Sequence, residues 1–205
     1  MDLDPDMVIG IDPGLANTGW GVVREEGSRI VPVAYGCVTT RPDMELPARL
    51  AIIHDNLCEV ISRYRLGALC AESVYFGANA PSAIATAQAR GAALVACACM
   101  GLSFGEYTPL QIKKALVGTG KAGKAQVQYM VRAVLGLDHD PKPDHAADAL
   151  ACAITHLRMR RGRDLEQTVA RTTGMDPSTT KRARAQARRA FERRAADAMR
   201  KEAAR

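Results

Sequence analysis

The run Met7-Val8-Ile9-Gly10-Ile11, closed at once by Asp12-Pro13-Gly14, constrains this chain more than any other segment. An uninterrupted apolar run of this length reads as a buried strand, and Asp-Pro-Gly reads as the turn that ends it. Trp20–Val23 and Arg29–Thr40 are further strand candidates, close enough to the first to form an antiparallel meander. Leu46–Tyr64 has apolar residues at Leu50, Ile53, Leu57, Val60 and Ile61, which is helical spacing. Gly67–Ala71 is a fourth apolar run, followed directly by Glu72. Pro81–Met100 is a long Ala-rich helix candidate with Pro near its first turn, and Leu102–Tyr107 is the last strand candidate. Thr108-Pro109 opens a short helix through Leu116, with Thr as N-cap and Pro at the first position. Val117–Lys124, with Gly118, Gly120 and Gly123, reads as a loop, and Gln126–Leu135 and Asp144–Leu157 as helices. This order predicts an α/β domain with a five-stranded mixed sheet flanked by helices.

The charge is unevenly placed. The 205 residues carry a formal net charge of +6, but positions 158–205 hold 15 basic and 6 acidic residues, leaving the body with a net −3. Residues 1–157 are therefore expected to form the folded domain. Residues 158–205 are expected to be a basic, Ala/Arg-rich tail, mobile or partly helical, whose only apolar stripe is Ala187, Phe191, Ala195 and Met199. Such a tail suits salt-dependent, sequence-independent contact with nucleic acid. No apolar run approaches the roughly 18–20 residues that span a bilayer. The acidic opening MDLDPDMVIG lacks the basic region of a secretory signal, so a cytoplasmic protein with no membrane partner is expected. Six cysteines without a C-x-x-C spacing argue against zinc or a disulfide framework and for reduced, buried thiols.

Three places gather chemistry. Asp12 sits where a wholly apolar strand meets a glycine turn, so it is either a turn former or a carboxylate emerging at the end of a sheet. Glu72 directly follows a buried strand, where a carboxylate must be solvated, paired or on a metal. Asp144, His145 and Asp148 open a helix. His145 and Asp148 share a face there, whereas Asp144 can serve as N-cap, and acids in a first turn also suit the helix dipole. Carboxylates with an imidazole form a common ligand set for divalent ions. Mg²⁺ takes few direct carboxylates, and two such ions can activate a water and stabilise a leaving oxygen in phosphodiester hydrolysis. Tyr75-Phe76 is the only adjacent aromatic pair and offers either core packing or a surface for bases. Lys113 and Lys114 on the short helix, and Lys121 and Lys124 about the glycine loop, are solvated residues or phosphate contacts. The string Gly-Lys-Ala-Gly-Lys lacks the spacing and hydroxyl residue of a Walker loop.

At these residues the sequence resembles the RuvC family of bacterial Holliday junction resolvases over about residues 7–157. The resemblance rests on Ile9-Gly10-Ile11-Asp12-Pro13-Gly14 with Thr18-Gly19-Trp20-Gly21, then Ala71-Glu72 and Gln88-Ala89-Arg90-Gly91. It continues through Gln126-Val127-Gln128, Met130-Val131 and Asp148-Ala149-Leu150-Ala151. It implies a ribonuclease-H-like fold and a homodimer that nicks two opposed strands of a four-way DNA junction to leave 5′-phosphate and 3′-hydroxyl ends. It implies Mg²⁺ as cofactor, two ions per subunit with Mn²⁺ able to substitute, held by Asp12, Glu72, His145 and Asp148. It also implies DNA contact by Lys113 and Lys124, a junction-centre aromatic at Tyr75, and a branch-migration helicase as partner. Phe76 and Lys121 join the DNA-binding candidates from their places beside these residues. The rival readings are a sugar-kinase-like ATPase, another ribonuclease-H-like nuclease and a non-catalytic DNA-binding module. The first needs two such domains, too many for this length, and the last leaves the acids unexplained.

Overall fold

The computed structural model describes residues 3–73 and 80–173, with side chains described for residues 3–73 and 83–165. The strands are β1 (Asp4–Asp12), β2 (Asn17–Glu26), β3 (Arg29–Thr39), β4 (Leu66–Glu72) and β5 (Ser103–Tyr107). The helices are α1 (Leu46–Arg63), α2 (Ala80–Cys99), α3 (Pro109–Val117), α4 (Lys124–Leu135) and α5 (Asp144–Thr173). The sheet order is β3-β2-β1-β4-β5. β1, β2 and β3 pair antiparallel, while β4 runs parallel to both β1 and β5. This is the expected mixed, five-stranded sheet, with β1 at its centre.

Strand alternation divides the core between the two faces of that sheet. Val8 of β1 and Ala68 and Cys70 of β4 join a cluster with residues of α3, α4 and α5. Ile9, Ile11, Leu69 and Ala71 join a second cluster with residues of α1 and α2. A central strand covered on both sides has no polar face, which is why Met7–Ile11 reads as one apolar run. The period of two has a consequence for function. Asp12 falls on the face of Val8 and Gly10, and Glu72 on the face of Ala68 and Cys70, so both acids emerge toward α5.

The helix α5 lies very close to the sheet. A Cβ on Gly10 would collide with the carbonyl of Ala149 and the amide of Ala153, and one on Gly19 with the carbonyl of His145. These glycines let helix backbone and strand backbone touch. The segment Gln88–Gly91 lies within α2, where Ala89 is buried and Arg90 extends to β5. There the Arg90 guanidinium pairs with Glu106 at 2.6 Å and stacks over Phe104.

Three expectations are corrected. α5 does not stop at Leu157 but continues to Thr173, because residues 158–173 contain no proline and many good helix formers. Lys124 belongs to the first turn of α4 rather than to the loop, since Gln126 turns back to accept the Gly123 N–H and starts the helix early. The six cysteines are free, but only Cys70, Cys97 and Cys152 are buried; Cys37 and Cys58 are half-buried, and Cys99 at the end of α2 is exposed. No described helix is long and apolar enough to cross a membrane.

Candidate active site

The parallel pairing of β1 with β4 sets Ile11 beside Ala71, so Asp12 and Glu72 leave adjacent strands at the same end of the sheet. Gly19 on β2, opposite Asp12, admits the first turn of α5. That turn carries His145 to Asp12, with Nδ1 2.7 Å from Asp12 Oδ2. Asp148, one turn further along, takes part in a hollow of about 130 Å³. The hollow is lined by Glu72, Lys113, Lys124 and Asp148 above an apolar floor that includes Ile112 and Val127. Four of the residues singled out in the sequence, Asp12, Glu72, His145 and Asp148, thus converge from β1, β4 and α5.

The electrostatics record the crowding. Burial pushes the Asp12 carboxyl above the ordinary carboxylate value; the hydrogen bond from His145 opposes this and the charge of Asp148 adds to it. Glu72 is likewise raised by burial first, then by Asp12 and Asp148. Both shifts mark carboxylates that share one partly dry site, where the nearby cations only partly offset burial.

Lys124 stands at the rim. Its ammonium lies 3.1 Å from Asp144 and 3.5 Å from Asp148. The hydrogen bond with Asp144, then the charge of Asp148, raises the Lys124 pKa, while Lys124 lowers that of Asp144. Asp144 is accordingly an exposed partner of Lys124 and the first residue of α5 rather than a cap before it. This pairing had no signal in the sequence, since the two residues are remote along the chain and meet only when α4 and α5 pack. Lys113 is held by a firm local device. Thr108 accepts the Gln111 N–H at 3.1 Å, and Gln111 accepts the Thr108 N–H at 2.8 Å, so α3 starts on a reciprocal cap. Lys121 is exposed in the loop before α4, anchored by the buried Ala122. Tyr75 and Phe76 lie outside the described residues.

The donor set of three carboxylates and an imidazole fits a hard divalent cation in its chemistry. The raised carboxylates fit it too, because a bound cation offsets both the burial that chiefly raises them and the repulsion that adds to it. Among the described residues no group of three His, Cys, Asp or Glu side chains is drawn tightly enough to enclose an ion. Asp12 is engaged by His145 and Asp148 by Lys124 instead.

A family profile for the crossover junction endodeoxyribonuclease RuvC matches residues 8–156, most of the chain and all four converging residues. The chain belongs to the RuvC family. The RuvC crossover junction endodeoxyribonuclease of Desulforamulus reducens is 46% identical over 152 residues, 74% of this chain and 93% of that protein. That of Rubrobacter xylanophilus is 49% identical over 155 residues, 76% of this chain and 87% of its own. The structure of Thermus thermophilus RuvC in complex with a Holliday junction substrate superposes with a TM-score of 0.73 at 39% identity, covering 76% of this chain and 94% of that one. The sheet described above is therefore the ribonuclease-H-like sheet of RuvC proteins.

Proposed function

We propose that this protein resolves Holliday junctions by metal-dependent phosphodiester hydrolysis, using Asp12, Glu72, His145 and Asp148 to hold Mg²⁺ or Mn²⁺. The single observation that carries the site assignment is convergence: strand alternation and the Gly19 approach bring these four side chains to one end of one sheet in a RuvC-family chain. When bound, the ions neutralise phosphate charge and activate water for attack. The protein's own residues do the rest. Asp12, on the central strand next to that of Glu72 and in contact with His145, would be the carboxylate that the ions share. Glu72 and Asp148 border the hollow and would complete the shell of one ion, while His145 would help to hold the other. Lys113 and Lys124 line the same hollow and bring positive charge to the phosphate, where Lys124 stabilises charge that grows as the bond breaks. His145, now held by Asp12, and Lys124, now held by Asp148, are the residues whose contacts would give way when the site is loaded.

A four-way junction has two-fold symmetry, so a homodimer presenting two such sites nicks opposed strands and leaves 5′-phosphate and 3′-hydroxyl ends. Cooperation with a branch-migration helicase follows from the family resemblance. Use of the protein on chromosomal DNA in the cytoplasm is the matching location.

The test is a set of isosteric variants. Asp12→Asn, Glu72→Gln and Asp148→Asn are expected to bind junction DNA with near-native affinity while losing at least about 100-fold in cleavage rate in Mg²⁺. Cleavage that survives in any of the three removes that residue from the site.

A further inference from the structure

His156 is an imidazole that the cleavage chemistry leaves unused, yet it is buried, with a relative exposure of 9%. A buried polar ring is costly unless a partner meets it. Its Nδ1 lies 3.0 Å from the hydroxyl of Tyr107, itself 5% exposed, and the two rings meet edge to face at 86°. The sheet makes room for this contact: a Cβ on Gly105 would lie 2.5 Å from His156 Nδ1, so only a glycine two residues before Tyr107 lets the imidazole reach the strand.

What Tyr107 holds with its backbone gives the contact a purpose. Tyr107 is the last residue of β5 and pairs in register with Glu72, the last residue of β4. Its carbonyl accepts the Ser73 N–H at 2.8 Å and the Ser73 hydroxyl at 3.3 Å. The next residue, Thr108, caps α3 and so sets the position of Lys113. His156 lies two turns beyond Asp148 on α5, about 12 Å along the helix axis. One buried hydrogen bond therefore ties α5, which carries His145 and Asp148, to the strand ends that carry Glu72 and begin α3.

We infer that Tyr107 and His156 form a positioning clamp that fixes Glu72 and Lys113 against the acid and imidazole of α5. The inference rests on the proposed junction cleavage for its catalytic readout and stands on its own for its structural one. Sub-ångström placement is what such a clamp supplies, and loss of placement lowers the rate of the chemical step more than it lowers binding.

The experiment uses the full chain. Tyr107→Phe removes only the hydroxyl, and His156→Phe removes both ring nitrogens, Nδ1 among them. Each is expected to lower the single-turnover cleavage rate about tenfold or more while junction affinity, measured without divalent ions, stays within about twofold. His156→Asn, whose carboxamide can meet the Tyr107 hydroxyl either as donor or as acceptor in place of Nδ1, is expected to recover most of the rate. The double variant Tyr107→Phe/His156→Phe is expected to be no slower than the slower of the two single ones, because both remove the Tyr107–His156 bond. Independently of cleavage, backbone amide exchange over residues 66–73 is expected to quicken in Tyr107→Phe. Unchanged exchange overturns the clamp even if the wild-type chain cuts nothing. A rate that falls only in step with affinity, additive losses in the double variant, or an Asn variant as slow as the Phe one also overturns it. Failure of the wild-type chain to cut a junction, with exchange behaving as expected, overturns the proposed function and leaves the clamp standing as an element of the fold.

Discussion

At the scale of single residues, the site depends as much on what is missing as on what is present. Gly19 carries no side chain because the carbonyl of His145 occupies that space. Gly19→Ala is expected to push the first turn of α5 from β2, costing about 1–3 kcal/mol of stability through overpacking. Because the turn that moves carries His145, the same change is expected to lower cleavage well beyond what the lost stability explains. Denaturant unfolding and cleavage rate on the same preparation check this. Asp144 and Asp148 are the sharper comparison. Both lie near Lys124, but Asp144 is exposed outside the hollow while Asp148 lines it. Asp144→Asn is expected to cut junction DNA within a few-fold of the native rate, in contrast to the loss expected for Asp148→Asn, as read by single-turnover cleavage. Asp12, Glu72, His145 and Asp148 were legible in the sequence because each acid or imidazole abuts an apolar strand or opens a helix. That His145 meets Asp12 while Asp144 meets Lys124 was not legible, because it turns on the direction in which the first turn of α5 faces as it packs against Gly19.

Among the elements, strand alternation does most of the positioning, but the apolar run of residues 7–11 showed only a buried strand, and the face that Asp12 takes came from the packing on either side of it. β1 and β4 each end with an acid on the face that meets α5. The helix α3 is set by its cap rather than by its length. Removing the Thr108 hydroxyl, in Thr108→Ala, is expected to cost about 0.5–2 kcal/mol. It is also expected to loosen Lys113, so that the melting temperature and the cleavage rate fall together. Element ends were the least legible part. The glycine loop hid the start of α4 because its capping bond comes from Gln126, a residue that looks like ordinary helix. The continuation of α5 past Leu157 was hidden because the change from apolar to basic composition resembles a boundary, although helix formation needs no change of backbone there.

Across the whole molecule, charge and chemistry are separated. The described site is rich in acids, whereas positions 174–205 hold ten basic and four acidic residues. Deleting 174–205 leaves α5 as far as Thr173 intact. It is expected to weaken junction binding at low salt, flatten the dependence of affinity on salt, and leave the positions of cleavage unchanged. Equal salt slopes for the two chains, read by binding titration across a salt series, contradict an electrostatic role for that segment. The central claim is selective, paired cutting of a four-way junction, and its most direct measurement is cleavage mapping. End-labelled four-way junction and matched linear duplex are incubated with the chain, with and without Mg²⁺, and every strand is resolved. The account predicts symmetric nicks in two opposed strands of the junction, only with the metal, and none in the duplex. Equal cutting of linear duplex, nicks without two-fold symmetry, or cutting that persists without a divalent ion contradicts it.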